Sequence, residues 1–201
     1  MFDLEKDKFV MYKGLISKDI AKIAEQYCLF QMLNNFQPEP EYGQVPGSHA
    51  RHGDSLMESL LLYAQPKIEE YTGVKLVPGF AYYRVYKPGD ILKDHTDRPA
   101  SEFSATVTLG FKYNNVADDY RYSLHGYVNN EKRYFRTEPG DAVIYKGDVM
   151  VHGRDRFDVG EYSYHAQVFL HYIRADGPYA KDHIYDGRPG IGYIKKFNYM
   201  V

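Results

Sequence analysis

The stretch Phe80-Ala81-Tyr82-Tyr83-Arg84-Val85-Tyr86-Lys87-Pro88-Gly89-Asp90-Ile91-Leu92-Lys93-Asp94-His95-Thr96-Asp97 begins as a strand and finishes on His-x-Asp. Phe80–Tyr86 is aromatic and β-branched, and Lys87-Pro88-Gly89-Asp90 breaks it. The same texture continues on the C-terminal side. Strands are predicted near Ser104–Phe111, Tyr120–Val128, Arg133–Thr137, Ala142–Tyr145, Val149–His152 and Ser163–Tyr172. Turn residues separate them at Asn129-Asn130, Glu138-Pro139-Gly140-Asp141, Gly147-Asp148 and Asp158-Val159-Gly160. No helical period intervenes, so the sheet is expected to be mainly antiparallel, in a sandwich or jelly roll.

On the N-terminal side the period changes to that of a helix. Ile16, Ile20, Ile23, Tyr27, Phe30 and Leu33 recur at three- and four-residue steps, which predicts an amphipathic helix over 15–36 with Cys28 as a small buried residue. Residues 37–53 carry Pro38, Pro40, Gly43, Pro46, Gly47 and Gly53 and read as a loop of a length that marks lids. A second helix is expected from Ser55, where Ser55-Leu56-Met57-Glu58 has capping-box spacing. It runs through Leu60, Leu61, Ile68 and Tyr71 to a stop at Gly73, with Pro66 kinking or splitting it.

At 201 residues and 44% apolar composition, one domain with a full core is expected. No apolar run approaches the ~20 residues of a membrane helix, and the acidic start is unlike a signal peptide. With 27 acidic against 25 basic side chains, the net charge of −2 argues against nucleic acid as a partner. The single Cys28 can form neither an internal disulfide nor a thiolate zinc site, which fits a cytoplasmic setting. The chain holds 21 Tyr and no Trp. Tyr82, Tyr83, Tyr113 and the Tyr120–Tyr127 segment are either framework or an aromatic rim.

His95, Asp97 and His152 are the residues with chemistry in their spacing. Side chains two apart on a strand share a face, so one imidazole and one carboxylate converge at His95-Thr96-Asp97. His152 lies at the end of another predicted strand, 57 residues later. Two imidazoles and one carboxylate make the facial triad that leaves three positions open on Fe(II), as a dioxygenase requires. A second His-x-Asp, His52-Gly53-Asp54, precedes a helix, where Asp54 is favoured by the dipole. His125, His165, His171 and His183 read as hydrogen-bonded framework. His49, Arg51 and His52 fall in the long loop, where they reach substrate only if that loop closes over the barrel mouth. Ser104, Thr106 and Thr108 share one strand face, which is either a ligand pocket or a solvated surface.

From about Phe80 to Tyr172 the chain resembles the Fe(II)/2-oxoglutarate-dependent dioxygenase superfamily, in particular its prolyl 4-hydroxylase-like branch. The resemblance rests on Tyr82–Asp97 and on Pro139-Gly140-Asp141-Ala142-Val143-Ile144-Tyr145 followed by His152-Gly153. It implies a double-stranded β-helix (jelly roll), mainly β with a helical layer supplied by the N-terminal helices. The expected domain covers 1–201, with helical support and a long loop over 1–76, the jelly-roll core over 77–173 and a tail packed on the core over 174–201.

The resemblance also implies roles. His95, Asp97 and His152 would be iron ligands, Tyr86 would help hold 2-oxoglutarate, and Thr108 would face that cosubstrate. The family's basic residue for the far carboxylate is missing: Gly160 matches, but Tyr162 stands where Lys or Arg is expected. A buried carboxylate needs a cation, and Arg84, Arg98 and Arg154 are the candidates. Arg98 could instead bridge to Glu102, and Arg84 could anchor the substrate.

The implied activity is hydroxylation of an unactivated C–H bond, with dioxygen consumed and 2-oxoglutarate converted to succinate. The implied substrate is a prolyl residue of a peptide or a proline-like amino acid. The alternatives are an oxygenase acting on a nucleobase or small metabolite, a cupin-like metalloprotein using His165 or His171, and a non-catalytic β-sandwich binding module.

Overall fold

The computed structural model describes residues 9–188. Two antiparallel sheets dominate it. The larger contains β1 (Phe9–Tyr12), β2 (His49–His52), β3 (Leu76–Tyr86), β5 (Phe103–Lys112), β8 (Ala142–Tyr145) and β10 (Tyr164–Arg174), in the order β1-β8-β5-β10-β3-β2. The smaller contains β4 (Leu92–His95), β6 (Leu124–Val128), β7 (Glu131–Phe135) and β9 (His152–Arg154), in the order β4-β9-β6-β7. Helices α1 (Lys18–Asn34) and α2 (Ser55–Thr72) precede the main run of strands, and α3 (Ala180–His183) follows it. None of the described helices is long and apolar enough to cross a membrane.

Strand alternation gives the large sheet two unlike faces. Ala81, Tyr83 and Val85 of β3, Ala105, Val107 and Leu109 of β5, and Ala166, Val168 and Leu170 of β10 form one apolar core. Ala21, Ala24 and Cys28 of α1 and Met57, Leu60, Leu61, Ala64 and Ile68 of α2 belong to the same core. Each fully buried Leu, Ile or Val there contributes about 1.5–3 kcal/mol. The opposite face carries Arg84 and Tyr86, then Ser104, Thr106 and Thr108, then His165, Gln167 and His171, all buried. The three hydroxyls thus line the interior between the sheets and are not solvated.

Helix α1 keeps only part of the expected stripe: Ile16 ahead of it is buried, and Ile20 and Tyr27 pack on the core. Ala21, Ala24, Glu25 and Cys28 are buried, whereas Ile23, Phe30 and Leu33 are 61%, 63% and 73% exposed. Small side chains let the helix sit close to β5. A Cβ at Gly110 would lie 2.2 Å from Glu25, whose carboxylate accepts from Tyr164 at 2.9 Å and Lys22 at 2.7 Å. Helix α2 begins one residue earlier than the capping-box spacing suggests. Asp54 is its N-cap, accepting from Leu56 N at 3.0 Å and Met57 N at 3.4 Å, while Glu58 turns to Ala81 N at 3.0 Å. Pro66 leaves α2 a single element to Thr72, where Gly73 ends it at φ 71°.

Other boundaries also shift. The 37–53 segment holds strand β2, paired with β3 (His49↔Val85, His52↔Tyr82), and β1 pairs with β8, so the first 76 residues contribute two strands to the large sheet. Both strands have four residues, too few for a legible alternation. The Tyr120–Val128 strand forms only from Leu124, and His152 opens β9 instead of closing a strand. Of the expected C-terminal tail, residues 189–201 lie outside the described residues.

Candidate metal centre

Adjacent strands of the small sheet bring the two histidines together. His95 at the end of β4 pairs in register with His152 at the start of β9, and their ring centroids are 4.4 Å apart. Asp97 is fixed through its backbone, N to Gly147 O at 2.7 Å. Each imidazole donates from Nδ1 to a carbonyl two residues back, His95 to Lys93 O and His152 to Met150 O, both at 2.8 Å. That tautomer leaves each Nε2 lone pair free. The two Nε2 atoms lie 3.4 Å and 3.7 Å from the same Asp97 Oδ1. One ligand atom from each of the three residues lies within 4.8 Å of the others, the one such metal-holding group among the described residues. His165 and His171 therefore join no competing set.

The second Asp97 oxygen is held separately. Ser104 Oγ donates to Oδ2 at 2.9 Å, and His171 Nδ1 lies 2.9 Å from the same Oγ. Gly147 gives this contact its room: a Cβ there would stand 2.4 Å from Asp97 Oδ2 and 2.5 Å from Ser104 Oγ. The charges suit a cation. Burial pushes the Asp97 carboxyl up, but the His95, His171 and His152 imidazoles around it outweigh that and hold it down at about 2. Burial lowers His152 to about 4 and so keeps it neutral. His95 goes the other way, because Asp97 and the Lys93 carbonyl outweigh its burial.

The triad opens into a cavity of about 380 Å³ lined also by Glu39, Gln44, His52, Phe80, Tyr82, Arg84, Arg98, Tyr145, Phe169 and His171. Of the candidate aromatic rim, Tyr82 alone lines it. Tyr83 lies on the helix side, 3.0 Å from His49 Nε2, and Tyr113 bonds His165 Nδ1 at 2.7 Å. His52 lines the wall from strand β2.

The sequence-derived cosubstrate candidates occupy different places. Arg84 lines the cavity, fully buried, with Nη2 2.6 Å from Glu39 Oε2 and 3.0 Å from the Tyr82 hydroxyl. Tyr86, also buried, lies 3.4 Å from Arg84 Nη1. Thr108 bonds Thr137 at 2.7 Å and Gln167 at 3.3 Å. Arg154 is 1% exposed, donates to the Tyr122 carbonyl and reaches Gln167 Oε1 at 3.0 Å. Arg98 does not bridge to Glu102. It pairs with Asp186 at 2.7 and 2.8 Å, while Glu102 accepts from Arg174 N at 2.9 Å. Tyr162 stands in a turn at φ 63° and is 85% exposed, so its side chain has no part in the interior.

Among the buried polar atoms without a partner are the donors Nε of Arg84, Nε of Arg154 and Nε2 of Gln167; Nε of Arg51, away from this group, is another. Gln167 on β10 pairs in register with Arg84 on β3, so these donors gather at one level of the barrel. Unsatisfied buried donors are rare and point to a missing acceptor. Sequence reading passed over Gln167 and Glu39, and took His171 as framework or as a ligand of another metal set. The period-two alternation of β10, which puts His165, Gln167, Phe169 and His171 on one face, held the signal for Gln167 and His171.

No family model and no curated protein matches the chain. Solved structures do. A prolyl-4-hydroxylase of Pseudomonas putida superposes with a TM-score of 0.59 at 14% identity, covering 83% of this chain and 93% of its own. The non-heme α-ketoglutarate-dependent epimerase SnoN of nogalamycin biosynthesis gives 0.66 at 12% identity, covering 85% and 79%. HygX of Streptomyces hygroscopicus, solved with nickel and 2-oxoglutarate, gives 0.63 at 10% identity, covering 88% and 89%. The chain is similar to these in fold, the jelly roll of 2-oxoglutarate/iron oxygenases.

Proposed function

We propose that the protein is an Fe(II)- and 2-oxoglutarate-dependent dioxygenase that hydroxylates an unactivated C–H bond. The observation that carries this reading is the convergence of His95 Nε2 and His152 Nε2 on one oxygen of Asp97 at the wall of a cavity, in this fold. Two imidazoles and a carboxylate form the facial donor set of non-heme iron. The backbone carbonyls behind each ring fix the ligating tautomer. His95, Asp97 and His152 hold the metal, and the jelly roll with helices α1 and α2 against its large sheet is the supporting scaffold.

The donors also fit 2-oxoglutarate. Its far carboxylate finds the orphaned donors of Arg154, Gln167 and Arg84 at one level of the barrel, with Thr108 and Tyr86 beside them. Arg154 is the principal cation, because Glu39 already neutralises Arg84. Iron, 2-oxoglutarate and dioxygen supply the oxidising chemistry: R–H, 2-oxoglutarate and O2 become R–OH, succinate and CO2. The chain's own part is to bind, orient and exclude water. Tyr82, Phe169, Leu92 and Leu124 give the cavity its apolar wall, and the 39–44 segment covers one side.

The substrate reading follows the prolyl 4-hydroxylase-like resemblance: a prolyl residue or a proline-like amino acid. Anaerobic titration with Fe(II) and 2-oxoglutarate tests the class. A weak visible charge-transfer band is expected in the wild type and none in His95→Ala or His152→Ala. Full 2-oxoglutarate consumption by either variant overturns the ligand assignment.

A further inference from the structure

We propose that Arg98, with His52 and Phe80 beside it, is the recognition site for a carboxylate on the substrate, and that Asp186 occupies this site as an internal stand-in. The inference rests on the oxygenase reading and narrows its substrate to a small molecule bearing a free carboxylate.

Asp186 engages Arg98 as a ligand would. Both carboxylate oxygens accept, Oδ1 from Nη1 at 2.7 Å and Oδ2 from Nη2 at 2.8 Å, the bidentate fork that guanidinium offers to carboxylates. His52 Nε2 lies 3.3 Å from the same Oδ2. The Arg98 guanidinium stacks 4.4 Å above the Phe80 ring, and His52 packs 4.7 Å from that ring. Arg98, His52 and Phe80 all line the cavity that holds the triad.

The segment that presents Asp186 does so under conformational strain. Tyr185, Asp186 and Gly187 are consecutive left-handed residues at φ 49°, 53° and 71°. Only the glycine takes this conformation freely; tyrosine adopts it at a cost. The same segment has a separate anchor, Arg188 Nη2 to Glu58 at 2.8 Å, so the Asp186 contact is not its sole attachment. A displaceable carboxylate at the rim of a reaction cavity is the geometry of a latch that a competing carboxylate opens.

Arg98 and the triad line the same cavity, so a small molecule held through its carboxylate by Arg98 has the rest of its atoms in that cavity. An amino or imino acid offers such a free carboxylate; an internal peptide residue does not.

Benzoate against benzamide is the test, a ring for Phe80 with and without the charge. The full chain is loaded with Ni(II) and saturating 2-oxoglutarate, and binding is read by calorimetry in the wild type, Asp186→Asn and Arg98→Gln. Asp186→Asn is expected to bind benzoate at least tenfold more tightly than the wild type, Arg98→Gln to lose it, and benzamide to bind none of the three. Equal affinity in Arg98→Gln and wild type, no gain in Asp186→Asn, or no benzoate binding anywhere overturns the proposal. Repeating the series in a His95→Ala background separates the two readings. Benzoate binding there with Ni(II) lost keeps the Arg98 site. Failure of the wild type to bind Ni(II) and 2-oxoglutarate counts against the oxygenase reading alone.

Discussion

Arg154 and Gln167 face each other across the barrel interior, with Arg154 Nη2 donating to Gln167 Oε1 at 3.0 Å and one further donor on each side chain left without an acceptor. Both are fully buried, where a donor without an acceptor is costly. On the proposed function, a 2-oxoglutarate carboxylate beside the pair would give both free donors an acceptor. Arg154→Lys is expected to raise the Kd for 2-oxoglutarate in the Ni(II)-loaded protein tenfold or more, from the ~1.5–3 kcal/mol of one charged hydrogen bond. Ni(II) binding itself should hold, because His95, Asp97 and His152 are untouched. An unchanged 2-oxoglutarate affinity would move the assignment to Arg84.

Gly147 is a spacing device for Asp97. A methyl group there meets Asp97 Oδ2 at 2.4 Å, Ser104 Oγ at 2.5 Å and the Ser101 carbonyl at 2.6 Å. The carbonyl belongs to backbone and does not yield, so the Asp97 carboxylate must move. Loss of a positioned metal ligand or its support typically costs 10–100-fold in affinity. Gly147→Ala should lower Ni(II) affinity by that range, measured by competition with a chelator, and should do so even if its circular dichroism matches the wild type.

The sheet core was readable because period-two patterns in β3, β5, β8 and β10 are long or apolar, and because the triad residues sit beside turn signals that fix their place. Helix α1 was read in part. Cys28 is buried and Ile20 and Tyr27 pack on the core as expected, but Ile23, Phe30 and Leu33 are exposed and Ala21 and Ala24 are buried, because contact with β5 demands small side chains and Gly110 accommodates Glu25. Hydrophobicity marks a stripe; close approach shifts it, and no local signal says so. Phe30→Ser is therefore expected to change unfolding free energy by no more than about 0.5 kcal/mol in a urea titration. Cys28→Leu should overpack the helix–sheet contact by about 1–3 kcal/mol. The reverse ranking would put Phe30 in the core instead.

Metal affinity should depend on pH in two stages. The metal competes with protons for the Nε2 positions. His95 has a raised pKa, burial being outweighed by Asp97 and the Lys93 carbonyl, so it takes up its proton first as pH falls. His152, lowered to about 4 by burial, follows much later, and Asp97 at about 2 stays ionised throughout. Apparent Ni(II) affinity should be flat above the His95 pKa and fall about tenfold per pH unit below it. It should steepen near pH 4. Isothermal titrations in buffers of different ionisation enthalpy would count the protons released. Two protons released together at neutral pH would contradict the assignment of His152 as already neutral.

Glu39 and Arg84 tie the 37–48 segment to the barrel. Glu39 binds its own segment locally, accepting from Gln44 N and Val45 N at 3.0 Å each, and reaches Arg84 at 2.6 Å. Arg84 is 1% exposed and Glu39 11%, so removing the carboxylate strands a buried guanidinium. Breaking such a pair costs about 3–5 kcal/mol, whereas replacing both charges by apolar groups of similar volume is often neutral or better. Glu39→Ala should lose that stability in a guanidinium titration at constant m-value. Adding Arg84→Met should recover most of it, because the stranded charge is gone and the stem volume is kept. A double variant no more stable than Glu39→Ala would mean that the lost free energy came from the local amide contacts of Glu39, and that the segment is held to the barrel by Val45, packed with Tyr86 and Phe169, instead of by charge.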